Sequence, residues 1–259
     1  MINKQLLIGL IMLLFSTNIV ASQHRDSIKL GTEDWAPFSF IDKKTKRITG
    51  LSSDIIYATF RSMNVKISSN KVLPWARTQK LAYQGKFDAV YTASINNERK
   101  KYMLFPKEPV VSSKWVLFAN IEDKKRLKFE NFKSLKDKKI CLISGYNYPR
   151  IFMQYIKKNS KLTFVSKENL NISKLINHRC DYMPAVLEST LNMIKTKPLL
   201  KRMNAYKKIF YFERELSISN FYLMFSKKNV SKEFVNEFSK KLKLFKTTQE
   251  YNSILNKYL

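Results

Sequence analysis

An apolar run, Phe87 to Tyr91, gives way within a few residues to two hydroxyls, Thr92 and Ser94, and then to Asn96, Asn97, Glu98 and Arg99. The asparagines predict a helix start, because an asparagine side-chain oxygen can accept from the free amides of a first turn. Strand end, hydroxyls, helix N-terminus and guanidinium would then meet at one place. Each offers hydrogen-bond donors, and the helix end and Arg99 add positive potential. Such a grouping is a cradle for a small carboxylate. The competing reading is a surface loop whose arginine is simply ion-paired.

The N-terminus bears on what else is available. Lys4 precedes an unbroken apolar run from Leu6 to Phe15, followed by polar Ser16 to Asn18 and small residues around Val20 to Ser22. Charged start, short apolar centre and small-residue end predict a cleaved secretory leader over residues 1–22. About ten apolar residues are too few to span a bilayer. An exported, periplasmic protein is therefore expected. Its two cysteines, Cys141 and Cys180, suggest a disulfide, and two cysteines cannot hold zinc unaided. His24 and His178 are the only histidines, so no Ser-His-Asp order can be assembled, and five glycines leave no phosphate-cradling loop. No catalytic group, metal or cofactor is expected.

The formal net charge of +28 raises the question of nucleic acid. The lysines are instead scattered in pairs along the whole chain, such as Lys43-Lys44, Lys100-Lys101 and Lys207-Lys208, with no nucleic-acid motif among them. A solvated basic surface is the reading, with attraction to an anionic envelope as its one outlet.

The cradle needs elements to position it. Ile28 to Thr32 alternates as a first strand and leads into Trp35-Ala36-Pro37-Phe38, where Pro37 ends the strand. A lysine-rich hairpin tip over 42–49 is followed by Gly50 and a helix capped near Ser52 or Ser53. Its stripe is Ile55, Ile56, Thr59, Phe60 and Met63. A strand over 65–68, a helix opened by Pro74-Trp75-Ala76-Arg77 and closed by Gly85, and the strand at 87–92 complete a strand–helix alternation. Such alternation predicts a mostly parallel sheet. The grammar repeats after Pro109, with strands at 110–119, 140–143, 163–165, 181–183, 209–212 and 221–225. Helices fall between them, and two amphipathic helices close the chain. The expectation is an α/β fold of two lobes, each a mostly parallel sheet flanked by helices. Lobe 1 is 23–110, lobe 2 is 111–226, and 227–259 returns to lobe 1. Interlobe crossings are expected near 109–112 and 226–229. The loops at the strand carboxyl ends then face one crevice.

In order and spacing, these features resemble the periplasmic solute-binding proteins of the polar amino-acid type, family 3, the clamshell receptors that feed ABC transporters. The matching marks are the leader, Trp35-Ala36-Pro37-Phe38, Gly50, Phe87-Asp88 with Ser94, Glu98 and Arg99, the Phe105-Pro106 step, the 138–145 restart and Arg179-Cys180-Asp181. The resemblance implies a monomeric receptor for a small carboxylate or amino acid, with an ABC permease as partner. A membrane sensor as partner, or a dehydratase-like enzyme using Glu33 or Glu188, are the alternatives. It makes Arg99 the carboxylate clamp and Thr92 and Ser94 further contacts. Trp35 becomes a cover against water, and Asn147, flanked by Tyr146, the closing contact from lobe 2. Two departures stand out. The acid that meets an ammonium group falls on Val186, with Glu188 two residues on as its substitute, and Tyr146-Asn147-Tyr148 replaces small residues. Arg77, at a helix start, would be a second cation facing the crevice, or a surface salt bridge. Trp75 would line the site or pack behind it. Cys141 and Cys180 fall on strands expected to be neighbours, which supports a bridge but leaves two buried thiols open.

Overall fold

The computed structural model describes residues 25–144, 146 and 148–258. The leader expected over 1–22, together with Gly145 and Asn147, lies outside the described residues.

The first half runs β1 (Ser27–Thr32), a small hairpin of β2 (Phe40–Ile41) and β3 (Ile48–Thr49), α1 (Leu51–Ser62) and β4 (Lys66–Val72). It continues with α2 (Trp75–Tyr83), β5 (Ala89–Ala93), α3 (Asn97–Tyr102) and β6 (Met103–Leu104). The second half runs β7 (Val111–Asn120), β8 (Lys139–Ile143), α4 (Arg150–Asn159), β9 (Lys161–Val165), α5 (Glu168–Ile176) and β10 (Met183–Val186). After it come α6 (Leu187–Thr196), α7 (Pro198–Arg202), α8 (Ala205–Lys208), β11 (Ile209–Tyr211) and β12 (Ser217–Ser226). Two helices, α9 (Lys232–Phe245) and α10 (Gln249–Tyr258), close the chain.

In the first half β1 lies between β4 and β5, parallel to both. In the second, β8 is parallel to β9, and a parallel bridge joins Ile140 to Tyr182 just ahead of β10. The joins between halves are antiparallel. β12 pairs with β7 over Ser217 to Phe221 and with β5 from Tyr222 to Phe225. β7 in turn pairs with β10 and β11. The partner exchange in β12 therefore falls at Phe221–Tyr222. The 226–229 segment, expected as a crossing, is a turn closed by Asn229 N–H donating to the Ser226 carbonyl at 3.1 Å.

The helical stripe of α1 is buried as its spacing predicts: Ile55, Ile56, Thr59 and Phe60 are each 0% exposed. Phe238 of α9 packs against Phe60 at 5.1 Å between ring centres, so the C-terminal helices cover the first half. Tyr258 Oη lies 2.6 Å from both Asp54 Oδ2 and Thr49 Oγ1, tying α10 to the start of α1.

The cap expected at Ser52 or Ser53 is absent, because α1 starts earlier. Leu51 and Ser52 donate their amides to the Pro37 and Phe38 carbonyls, both at 2.8 Å, so the preceding loop satisfies the helix end. Gly50 permits this approach with φ of 124°, and a Cβ there would lie 2.6 Å from the Phe38 oxygen. Gly85, at φ 78°, closes α2 in the left-handed conformation expected of it.

Cys141 of β8 and Cys180 are bridged, with Cα atoms 5.9 Å apart. Both are buried among Val116, Phe118, Ile172 and Leu175, in a cluster that packs α5 onto the second half's strands. β10 starts two residues later than expected, since Asp181 is held outside it by Lys139 N–H and Arg126, each at 2.8 Å. Among the described residues no helix is long and apolar enough to cross a membrane.

Candidate functional site

Three loops leave the carboxyl ends of the parallel strands in the first half and converge. β1 opens into Glu33, β4 into Leu73-Pro74-Trp75, and β5 into Ser94. At the end of β5, Thr92 is buried and adopts φ of 67°, a left-handed conformation that a β-branched residue rarely tolerates. Its hydroxyl donates to the Tyr91 carbonyl. The bend turns the chain into α3, where Asn96 is the N-cap and its Oδ1 accepts the Arg99 amide at 2.8 Å.

That cap sets the backbone of Arg99, and three side-chain contacts set its guanidinium. Nη1 donates to Ser94 O at 2.6 Å and Ser94 Oγ at 3.0 Å, and Nε donates to Gln79 Oε1 at 2.8 Å. The flat face lies over the Trp75 ring, with Cζ 5.0 Å from its centre. Nη2 takes part in none of these three hydrogen bonds. The group is half-buried, and burial draws its pKa down while Tyr83 and Glu33 oppose that. A guanidinium so held presents its remaining donors to an acceptor at little further entropic cost.

Among the acids, Glu33 bears most on the Arg99 charge, ahead of Glu98. Burial pushes its pKa up to about 7, with the Arg99 charge opposing and Asp34 adding to the rise. It lines, with Asp34, Leu73 and Pro74, a cavity of about 340 Å³ beside the β4 loop.

The second half faces this from across a gap. A cavity of about 350 Å³ has Ser94 and Ile95 on one wall and Tyr148, Pro149 and Arg150 on the other, with Ser219, Asn220 and Tyr222 of β12 as its floor. That volume is in the range for a small ligand. Tyr148 is fixed there: its Oη accepts the Ile143 amide at 2.8 Å, and its ring meets Trp115 edge-on at 5.2 Å. Trp115 Nε1 donates to Ser219 Oγ at 2.9 Å, which secures the floor. Tyr146 is exposed and 6.1 Å from Tyr148 between ring centres, within electrostatic reach of both Glu33 and Glu168.

Arg99, Ser94 and Trp75 are thus brought together, with Tyr146 across the gap. Trp75 packs against the Ala82 and Phe87 cluster and carries Arg99 on its ring face, and it lines neither cavity. Trp35 packs on Phe38 at 4.6 Å and Phe221 at 5.0 Å and stays half-exposed. Arg77 is exposed, makes no ion pair among the described residues, and lines neither cavity. Glu188 accepts from Ser113 Oγ beside the crossing strands. Sequence reasoning missed Gln79 and Arg150, and weighed Glu33 only as a catalytic acid. A signal for Arg150 existed in the Pro149-Arg150 helix start, the same pattern as Pro74-Trp75. Among the described residues no group of three metal-ligating side chains occurs.

Several solved structures share this architecture. The probable amino-acid ABC transporter extracellular-binding protein ytmK from Bacillus subtilis is 17% identical, with a TM-score of 0.76, covering 91% of this chain and 98% of that one. An ancestral arginine-binding protein bound to arginine is 21% identical, with a TM-score of 0.68, covering 91% of this chain and 99% of that one. A histidine kinase sensor domain with similarity to periplasmic binding proteins is 17% identical, with a TM-score of 0.69, covering 91% and 97%. At these identities the likeness establishes a two-lobed α/β fold. Among curated protein sequences none matches the chain. Apart from the first residue of β1, the strands, the Arg99 turn and the closing helices all fall within residues 28–259, the stretch that matches the bacterial extracellular solute-binding proteins, family 3, and the chain belongs to that family.

Proposed function

We propose that this protein is a periplasmic receptor that closes around a small polar carboxylate, an amino acid, and delivers it to an ABC permease without turning it over. One observation carries the reading. Arg99 is held by Ser94, Gln79 and Trp75, and Ser94 in turn lines a gap of small-ligand volume. A carboxylate there gains charge-assisted hydrogen bonds to a group already desolvated and oriented.

Residues 23–110 and 111–221 act as the lobes; the return to the first, expected from 227, starts at Tyr222, where β12 enters the first half's sheet. Closure turns about the strands that join them, β7 near 109–112 and β12 at Phe221–Tyr222. A ligand that touches both lobes favours the closed form by its differential affinity for it. The similarity to ytmK, a probable amino-acid ABC transporter binding protein, supports the delivery role. The similarity to a histidine kinase sensor domain supports a second reading, a sensor that docks on a membrane signalling protein.

A thermal-shift screen of the purified chain, without residues 1–22, against the twenty L-amino acids and small carboxylates tests the ligand class. Ligand at 100 times its dissociation constant stabilises by about 2.7 kcal/mol. No shift with any member of the panel defeats the proposal.

A further inference from the structure

The lysines scattered through the sequence gather, in the fold, at one end of the second half. Lys195, Lys197, Lys201, Arg202, Lys207 and Lys208 lie on the end of α6 and on α7 and α8, and from Ser189 to Phe212 the chain holds no acid. All six are exposed, and none forms an ion pair among the described residues. α7 and α8 pack on each other, on α6 and on α5, so the six charges share one surface.

The acids beside this surface are already engaged. α8 rests on the short turn Ile121–Asp123. There Asp123 pairs with Arg126 at 3.0 Å, and Glu122 and Asp123 each lie 3.1 Å from a ring nitrogen of His178. Lys124 follows, with its Nζ 5.7 Å from the Phe210 ring centre, and adds to the same charge. Along the chain the next acid is Glu213, beyond β11.

Apolar groups protrude among the cations. Leu200 and Ala205 are each 0% exposed in the cluster around the Cys141–Cys180 bridge, and they fix the two short helices. Their neighbours Leu199 and Tyr206 are thereby turned outward, 45% and 61% exposed, with Tyr211 of β11 beside them at 36%. Long-stemmed cations around a leucine and two tyrosines suit a layer that is anionic at its surface and apolar beneath.

We propose that this face docks on an anionic phospholipid surface. A plane of phosphates matches cations that have no acid interspersed among them, whereas a protein partner is ordinarily matched by charges of both signs. The family is extracellular, so a membrane surface lies within reach. Ile209, next to the patch, pairs with Asn120 at one end of β7, while Ser219 and Asn220 of the gap's floor pair with Ser113 and Ser112 near the other. Those points are roughly 25 Å apart along the strand, so docking leaves the gap open. The consequence is a protein held at the membrane, searching in two dimensions.

The chain without residues 1–22 is sedimented with phosphatidylcholine vesicles, plain or containing one-third phosphatidylglycerol. Because the whole chain is basic, the decisive comparison is between two variants of equal charge. One carries Lys197→Gln, Lys201→Gln, Lys207→Gln and Lys208→Gln. The other carries Lys43→Gln, Lys44→Gln, Lys232→Gln and Lys240→Gln, at exposed positions elsewhere. Wild type is expected to bind the anionic vesicles and not the plain ones. The first variant should lose affinity at least tenfold and the second less than twofold. Equal losses overturn the proposal, since net charge alone would then act. Tyr206→Trp reads entry into the layer: brominated acyl chains should quench its emission beyond the quenching of wild type, and no added quenching overturns the lipid assignment. That measurement also decides the matter if the first variant does not fold. Polyglutamate stands in for an acidic protein. If the patch binds it while vesicles are not bound, the face belongs to a protein partner and the lipid reading fails. No amino acid is present in these assays, so their outcome is separate from that of the receptor reading.

Discussion

The Arg99 guanidinium carbon lies 5.0 Å above the centre of the Trp75 indole, while Nε and Nη1 of the same group are taken by Gln79 and Ser94. The ring and the two acceptors hold the cation in one plane, so its charge is oriented before any ligand arrives.

Removing that charge is expected to cost the most. Arg99→Ala should weaken amino-acid binding by a factor of 100 or more, and Arg99→Lys should not recover it, because lysine lacks the planar fork. Trp75→Ala should weaken binding by about fivefold, in line with roughly 1 kcal/mol for a partly desolvated cation–π contact. Calorimetry on the three variants reads the order. Equal affinities for wild type and Arg99→Ala would remove Arg99 from the site.

Glu33 makes stability depend on pH. Its folded pKa of about 7 lies above the ordinary 4.5, so the folded protein binds a proton more tightly than the unfolded chain. That contribution is fully present below pH 4.5 and is lost as pH rises through about 7. Between pH 5 and 8 the loss should be on the order of 2 kcal/mol. Glu168, whose pKa is also raised by burial, acts in the same direction. Denaturant melts should show Glu33→Gln flattening the decline. A profile identical to wild type would show that Glu33 ionises freely.

The Cys141–Cys180 bridge closes a segment with a sequence separation of 39. Loop entropy for that length predicts a loss of about 3–4 kcal/mol in the double serine variant. Urea melts with and without reductant measure it. Stability unchanged by reductant would mean that the packing around Val116 and Phe118 suffices without the bond.

Gly50→Ala places a Cβ 2.6 Å from the Phe38 oxygen at a φ of 124°. The loop from Trp35 to Phe38 would have to move away from the α1 start, at a cost of about 2 kcal/mol or more. A lowered melting temperature is the expected result, and a wild-type value would show that the loop can yield.

Where a local rule acts alone, the chain is legible. Asn96 caps α3, Gly85 ends α2, and the stripe on α1 is buried, because each depends on residues within a turn or two. The α1 cap was misread for the opposite reason: Ser52 and Ser53 have the right chemistry, but the carbonyls of Pro37 and Phe38 already occupy the helix end. Glu33 and Glu168 look like ordinary loop acids in the sequence. Their raised pKa values arise from burial by groups far along the chain.

Residue types and spacing alone determined the alternation of strands and helices, the arginine at a helix start, and two cysteines on strands expected to be neighbours. Only the tertiary structure decided which side chains share the gap. Gln79 reaches Arg99 across 20 residues. Hydrogen bonding and periodicity act over a few residues, so they write helices and strands into the sequence. The electrostatics of a cleft depend on distance through space and on exclusion of water, and both are set only when the sheets are packed.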